Sequence, residues 1–171
     1  MGWVGALIVI VVLVVVFAKK PPAKDSISEH SEVLPYKKKD FLLSKGDRAL
    51  FNALNQLLGS RGYYVFAKVR MGDILYLPNN TEKRQTYWNK IQGKSIDFLI
   101  CDATYLRPRF AIEAGNSANN KSDFVEQVFA AAGVPLVRVP KQQTYSQESV
   151  EQALSQTLSQ LEAAATNESS R

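Results

Sequence analysis

The chain begins with an uncharged apolar segment that limits how much of it can enter a water-soluble fold. Residues 2–18 are mostly Val, Ile and Leu. As a helix they would span about 25 Å, near the short limit for the hydrocarbon core of a bilayer. Trp3 is well placed as an interfacial anchor. This segment predicts one N-terminal transmembrane helix, which leaves the rest of the 171 residues for a single domain.

The charges beside this segment predict its orientation. No Lys or Arg precedes it, whereas Lys19, Lys20 and Lys24 follow it. The positive-inside rule then places the domain on the cytoplasmic side of the cell inner membrane. The alternative is a cleaved signal peptide, but the basic N-terminal region is missing and residues 16–18 form a poor small-x-small cleavage site.

The composition excludes several kinds of site. With one cysteine, Cys101, and one histidine, His30, the chain can form neither an internal disulfide nor a Cys/His zinc site. Cys101 lies in an apolar run, which favours a buried side chain over a nucleophile. The formal net charge of +5 permits an anionic partner, such as nucleic acid or a lipid surface, but does not require one.

The order of the remaining segments predicts an α/β domain. Residues 19–40 are polar and predict a flexible linker, residues 41–164 form the domain, and residues 165–171 predict a disordered tail. Hydrophobic periodicity within the domain predicts a helix, a three-strand meander, a helix, a strand and a helix around a central mixed sheet. The predicted elements are a helix from Ser44 to Gly59, strands at 63–69, 96–101 and 109–113, a helix at 122–132, a strand at 135–139 and a helix at 146–162.

Two acids inside otherwise apolar strands are the first chemical signal. A hairpin centred near Tyr105 would place Asp97 directly opposite Glu113, with their Cβ atoms about 5 Å apart. Two like charges at that distance need neutralising, and magnesium prefers carboxylate ligands. The pair therefore indicates a magnesium site that could orient a phosphodiester, or else acids at an exposed edge or paired with lysines.

Three sequence blocks together resemble a known group of proteins. They are Ser95 to Asp102, Phe110 to Glu113, and Ala132 to Val139. The set resembles an uncharacterised bacterial family of domains of unknown function in the PD-(D/E)XK nuclease-like superfamily, similar to the very-short-patch-repair endonucleases. The resemblance covers about residues 34–140. It implies a restriction-endonuclease-like core in which Asp97 and Glu113 bind catalytic magnesium, often joined by an acid at Asp47 on the first helix.

The chain departs from the superfamily pattern at two positions that matter for catalysis. Gly115 stands where the superfamily has a catalytic lysine and related families an aspartate, and Asn119 stands where related families have a histidine. Loss of one such electrostatic group commonly raises a barrier by about 2.7–4 kcal/mol. Lys94 and Lys121 are candidates for a migrated catalytic lysine, or they are surface residues.

A polar insertion at residues 78–94 is the predicted nucleic-acid surface. Its candidate contact residues are Lys83, Arg84, Trp88 and Lys90, because cations suit phosphates and aromatic rings suit bases. Alternatively, it is a solvated helix with Trp88 packed on the core. The favoured function is a membrane-anchored nuclease-like module that binds nucleic acid with impaired or absent cleavage. The alternatives are an active magnesium-dependent DNA endonuclease and a non-catalytic, membrane-tethered protein-interaction scaffold.

Overall fold

The computed structural model describes residues 33–115 and 121–169, without the side chains of residues 121–123 and 164–169. The chain divides into two units, Met1–Lys39 and Asp40–Arg171. Residues 33–39 of the first unit are exposed and form neither helix nor strand. The predicted anchor at residues 2–18 lies outside the described residues. Within the described ranges, no helix combines the length and apolar character needed to cross a membrane.

The second unit is a mixed α/β domain, as predicted. Its four-stranded sheet has the order β1-β2-β3-β4, in which the first three strands are antiparallel and β4 runs parallel to β3. In chain order the elements are α1 (Lys45–Gly59), β1 (Tyr63–Arg70), α2 (Met71–Ile74), α3 (Arg84–Ile91), β2 (Ser95–Asp102), β3 (Pro108–Ala114), α4 (Lys121–Ala131), β4 (Leu136–Val139) and α5 (Gln147–Ser169).

The ends of the helices differ in how well sequence predicts them. Ser44 caps α1 by accepting a hydrogen bond from the Asp47 amide at 3.2 Å, and Gly62, with φ of +78°, turns the chain into β1. The last helix, α5, continues to Ser169 instead of ending near Glu162, and so enters the segment predicted to be disordered. Alanines at 163–165 favour this continuation because alanine has the highest helix propensity.

Two hydrophobic clusters cover the two faces of the sheet. The first cluster joins α1 and α5 to one face through Leu50, Leu54, Phe98, Ile112 and Leu154. The second cluster packs α2, α3 and α4 on the other face through Met71, Ile91, Leu99, Ala111 and Phe129. Because both faces are covered, β2 is apolar along most of its length and polar side chains on it stand out.

The start of α1 approaches the segment after β4 closely. A Cβ atom added at Gly46 would lie 2.5 Å from the carbonyl oxygen of Gln142. Since a backbone oxygen cannot rotate away as a side chain can, only glycine fits here without moving the main chain.

Gly46→Ala should therefore lower the free energy of unfolding by about 1–3 kcal/mol through overpacking. Gly59→Ala in the same helix is the matched control, because an added Cβ there meets nothing within 4 Å and should change stability by at most about 1 kcal/mol. Urea denaturation of both variants measures the difference. Equal stability of the two would contradict the close approach.

Candidate functional site

The strands β1 and β2 change faces together at one pair of residues. Ala67 packs in the first cluster but Val69, two positions later, packs in the second. In β2, Phe98 lies in the first cluster and Ile96 in the second. The pairing register continues through the change, and Lys68 adopts the left-handed φ of +55° between the two halves of β1. A left-handed backbone conformation is strained for a residue other than glycine.

Lys68 joins two carboxylates from different elements at this switch. Its Nζ lies 2.5 Å from Oδ1 of Asp97 on β2 and 3.3 Å from Oδ2 of Asp47 on α1. The other oxygen of Asp97 accepts the backbone N–H of Ala114 at 2.9 Å. The result is a lysine held between two aspartates where α1, β1, β2 and the end of β3 meet.

The ionisation of the group fits a stable charge cluster. Burial of Asp47 would raise the pKa of its carboxyl, but the Ser44 hydroxyl and the Lys68 ammonium together hold that pKa below its ordinary value. Burial likewise opposes the charge of Lys68, yet the two aspartates raise its pKa above the ordinary value. Asp47 is the one buried charged residue among those the structure describes.

The predicted register between β2 and β3 is confirmed over Phe98 to Ile100, and it shifts by one residue at Cys101. Phe98 pairs with Ile112 and Leu99 with Ala111, so the next positions outward are Asp97 and Glu113. Glu113 also has a cation of its own, since Nη1 of Arg138 on the neighbouring β4 lies 2.9 Å from its Oε2.

The two carboxylates make contacts on different sides of the sheet. Asp97 is linked through Lys68 to α1, whereas Arg138, the partner of Glu113, approaches Glu126 of α4 at 3.7 Å. Among the side chains that the structure describes, no three from Asp, Glu, His or Cys converge to hold a metal ion. In this arrangement a divalent cation does not fit between Asp47 and Asp97 without displacing the Lys68 ammonium, and the magnesium site stays a prediction.

Gly115, the first position that departs from the nuclease pattern, directly follows β3. The amide of Gly115 donates to the carbonyl of Val139 at 2.9 Å, and a Cβ there would meet no atom within 4 Å. Asn119 is outside the described residues. Lys94 lies in the turn before β2, where its carbonyl accepts a hydrogen bond from the Met71 amide. Lys121 begins α4, and its side chain is not among those that the structure describes. Neither lysine is shown at the acids.

Sequence reasoning missed the two cations that hold the acids. Lys68 stands in a strand otherwise composed largely of aromatic and β-branched residues, and Arg138 interrupts the apolar strand β4. A charge inside a predicted strand generally needs a partner. The same argument that singled out Asp97 and Glu113 would therefore have singled out Lys68 and Arg138.

The insertion contains the short helix α3. Lys83, Arg84 and Lys90 are exposed on it. Trp88 is half-buried in the second cluster, and an added Cβ at Gly72 would come within 3.1 Å of its indole ring. Trp88 therefore packs on the core, as the alternative prediction for this residue had it.

Comparison with known proteins identifies the domain by family. A family model described as "Protein of unknown function (DUF2726)" matches residues 39–158. The chain belongs to the DUF2726 family. This DUF2726 region includes both carboxylates, both cations and the insertion, and it confirms the predicted resemblance to an uncharacterised domain family. No curated protein and no solved structure matches the chain.

Lys68→Met should lower the free energy of unfolding of this DUF2726 domain by about 2 kcal/mol at pH 7, because it leaves Asp47 buried without its cation. The loss should shrink as pH falls. The contribution of Asp47 is present above its unfolded pKa near 3.8 and disappears as pH drops through the lower folded pKa.

Chemical denaturation of the wild type and Lys68→Met at pH 7 and pH 3 measures this difference. Lys45→Met, at an exposed position of α1, is the control and should change stability by no more than about 0.5 kcal/mol. A destabilisation by Lys68→Met that is independent of pH would show that the ion pairs contribute nothing.

Proposed function

We propose that this protein is a membrane-anchored cytoplasmic module with a PD-(D/E)XK nuclease-like domain that binds nucleic acid and cleaves it poorly or not at all. The order of helix, three antiparallel strands, helix and parallel strand supports the nuclease-like assignment, since it is the core that the resemblance implies. Fold likeness alone does not establish an activity, so the proposal depends on the site.

The observation that carries the proposal is the cation on each acid of the predicted catalytic pair. Lys68 contacts Asp97 and Arg138 contacts Glu113, so both carboxylates are neutralised by side chains of the chain itself. Together with Gly115 in place of a catalytic lysine, this arrangement favours a site that preserves the fold over one that activates water. The charge balance that a metal would supply comes instead from two basic residues.

Binding is assigned to the exposed cations of the insertion. Lys83, Arg84 and Lys90 lie within or beside the eight-residue helix α3, and Glu82 is the one acid among residues 78–94. Exposed lysine and arginine side chains release condensed counterions when they contact phosphates, which makes affinity fall with salt.

The anchor is proposed from sequence alone. Residues 2–18 are uncharged and apolar, and the cations that follow place the domain in the cytoplasm. The full chain should stay in the membrane fraction after carbonate extraction, and deletion of residues 1–18 should release it. Release of the undeleted chain by carbonate would count against an integral anchor.

The full-length protein should bind labelled DNA with an affinity that falls steeply with salt. With three phosphate contacts, the slope of log affinity against log salt should be about −2.7 for a duplex. Each of Lys83→Ala, Arg84→Ala and Lys90→Ala should reduce the slope by about one unit. Fluorescence anisotropy between 50 and about 200 mM salt measures these slopes.

Lys45→Ala is the control for loss of a positive charge elsewhere on the domain and should leave the slope unchanged. If the wild type binds no DNA at low salt, the nucleic-acid proposal fails and the protein-interaction scaffold becomes the better account. Equal effects of Lys45→Ala and the three insertion variants would show that net charge, not this surface, governs binding.

A magnesium-dependent DNA endonuclease is the second candidate, favoured by one observation. Lys68 places an ammonium 2.5 Å from the carboxylate of Asp97, so a lysine accompanies the acid although Gly115 cannot supply one. Supercoiled plasmid incubated with magnesium or manganese distinguishes the candidates. We expect no nicking above that of the Asp97→Ala and Glu113→Ala variants. Metal-dependent nicking that these variants and Lys68→Met abolish would establish the endonuclease instead.

A further inference from the structure

An open apolar cavity of about 350 Å³ lies between the segment after α2, α3 and α4. Its wall is formed by Leu75, Tyr76, Leu77, Tyr87, Phe124 and Val128. This volume falls within the range of about 300–1,000 Å³ typical of ligand sites, and the lining is apolar with few polar groups, as in such sites. The residues that line the cavity do not include the acids of the candidate catalytic site.

Two tyrosines of the wall are unusually available to a ligand. Tyr76 is 85% exposed and Tyr87 is 48% exposed, although both adjoin buried side chains of the second cluster. A half-exposed aromatic ring beside an apolar cavity offers a flat face on which another flat group can stack.

Two cations, Lys90 and Arg84, lie at the wall of the cavity. Nζ of Lys90 lies 5.5 Å from the centre of the Tyr87 ring and 5.9 Å from that of Phe124. Nε of Arg84 donates to the carbonyl of Leu77 at 3.4 Å, which holds the guanidinium beside the cavity wall. The rim is therefore positive while the interior is apolar and aromatic.

We infer that this cavity receives an unstacked base of single-stranded nucleic acid, with the neighbouring phosphates on Lys90 and Arg84. The inference rests on the proposed nucleic-acid binding. It specifies that the nucleic acid is single-stranded and which side chains stack on its base. Bases of a duplex are already stacked on one another and cannot enter a cavity, whereas single strands commonly bind by stacking on aromatic side chains within a positive groove. The positive rim favours a polyanion over a neutral apolar ligand.

The stacking residues differ from the residue that the sequence suggested. Trp88 faces Gly72 and the second cluster, so its ring packs on the core. Tyr87, its neighbour in α3, is the ring that lines the cavity. Tyr76 lies in the segment between α2 and α3, and only the tertiary structure brings it to the same cavity as Tyr87.

Fluorescence anisotropy of the full-length protein with three labelled probes tests the inference. The probes are a dT 12-mer, an abasic 12-mer with the same phosphates, and a 12-base-pair duplex, all at one low salt concentration. We expect the dT probe to bind at least about fivefold tighter than the abasic probe, because one stacked base contributes at least that factor. Tyr76→Ala and Tyr87→Leu should each remove this advantage and leave abasic binding unchanged.

Tyr105→Ala is the matched control for loss of an exposed aromatic ring. Tyr105 is 71% exposed and has the guanidinium of Arg107 4.8 Å from its ring centre, but it lies in the β2–β3 turn. Its removal should not change the preference for dT. Circular dichroism of all three variants should match that of the wild type, and Tyr76, being so exposed, can be removed without disturbing the core.

The possible outcomes separate this inference from the proposed function. Equal affinity for dT and abasic probes, or a preference for dT that survives both tyrosine variants, overturns the cavity assignment while nucleic-acid binding stands. No binding of any probe overturns both. If a fluorescent fatty acid binds and Tyr87→Leu abolishes that binding without affecting the dT probe, the cavity holds an acyl chain and the inference is wrong.

Discussion

A single ammonium group between two carboxylates holds the centre of this domain together. Lys68 must reach Asp97 across the sheet and Asp47 on α1 at once, and it does so from a left-handed backbone conformation where β1 and β2 change faces. The ion pairs offset the cost of burying Asp47 and of straining Lys68. Through the face change, Val69 of β1 joins the second cluster although Val65 and Ala67 of the same strand pack in the first.

This arrangement bears directly on the chemistry of the site. A nuclease of the predicted type needs its carboxylates free to bind a metal, whereas here each of the two strand acids contacts a basic side chain. Such pairs stabilise the fold by satisfying charges that would otherwise repel one another. The domain thus has a polar centre suited to structural support, while Lys83, Arg84 and Lys90 of the insertion are exposed.

In the insertion, two neighbouring aromatic residues occupy different positions in the packing. Tyr87 and Trp88 are adjacent in α3, so they point about 100° apart around the helix. Trp88 consequently supports the second cluster and Tyr87 remains at the open cavity. Composition alone does not distinguish the two aromatic residues, because both could stack on a base.

The short helix α2 was not predicted, but local sequence patterns did predict the other elements, their order, the cap at Ser44 and the register that pairs Phe98 with Ile112. These features depend on periodicity and on turn chemistry, which act over a few residues. The partners of the two acids depended on tertiary structure. Lys68 lies 29 positions from Asp97, and Arg138 lies 25 positions from Glu113, so only the folded sheet brings the opposite charges together. A charge within a predicted strand indicates that a partner is needed, but only the folded sheet determines which residue that partner is.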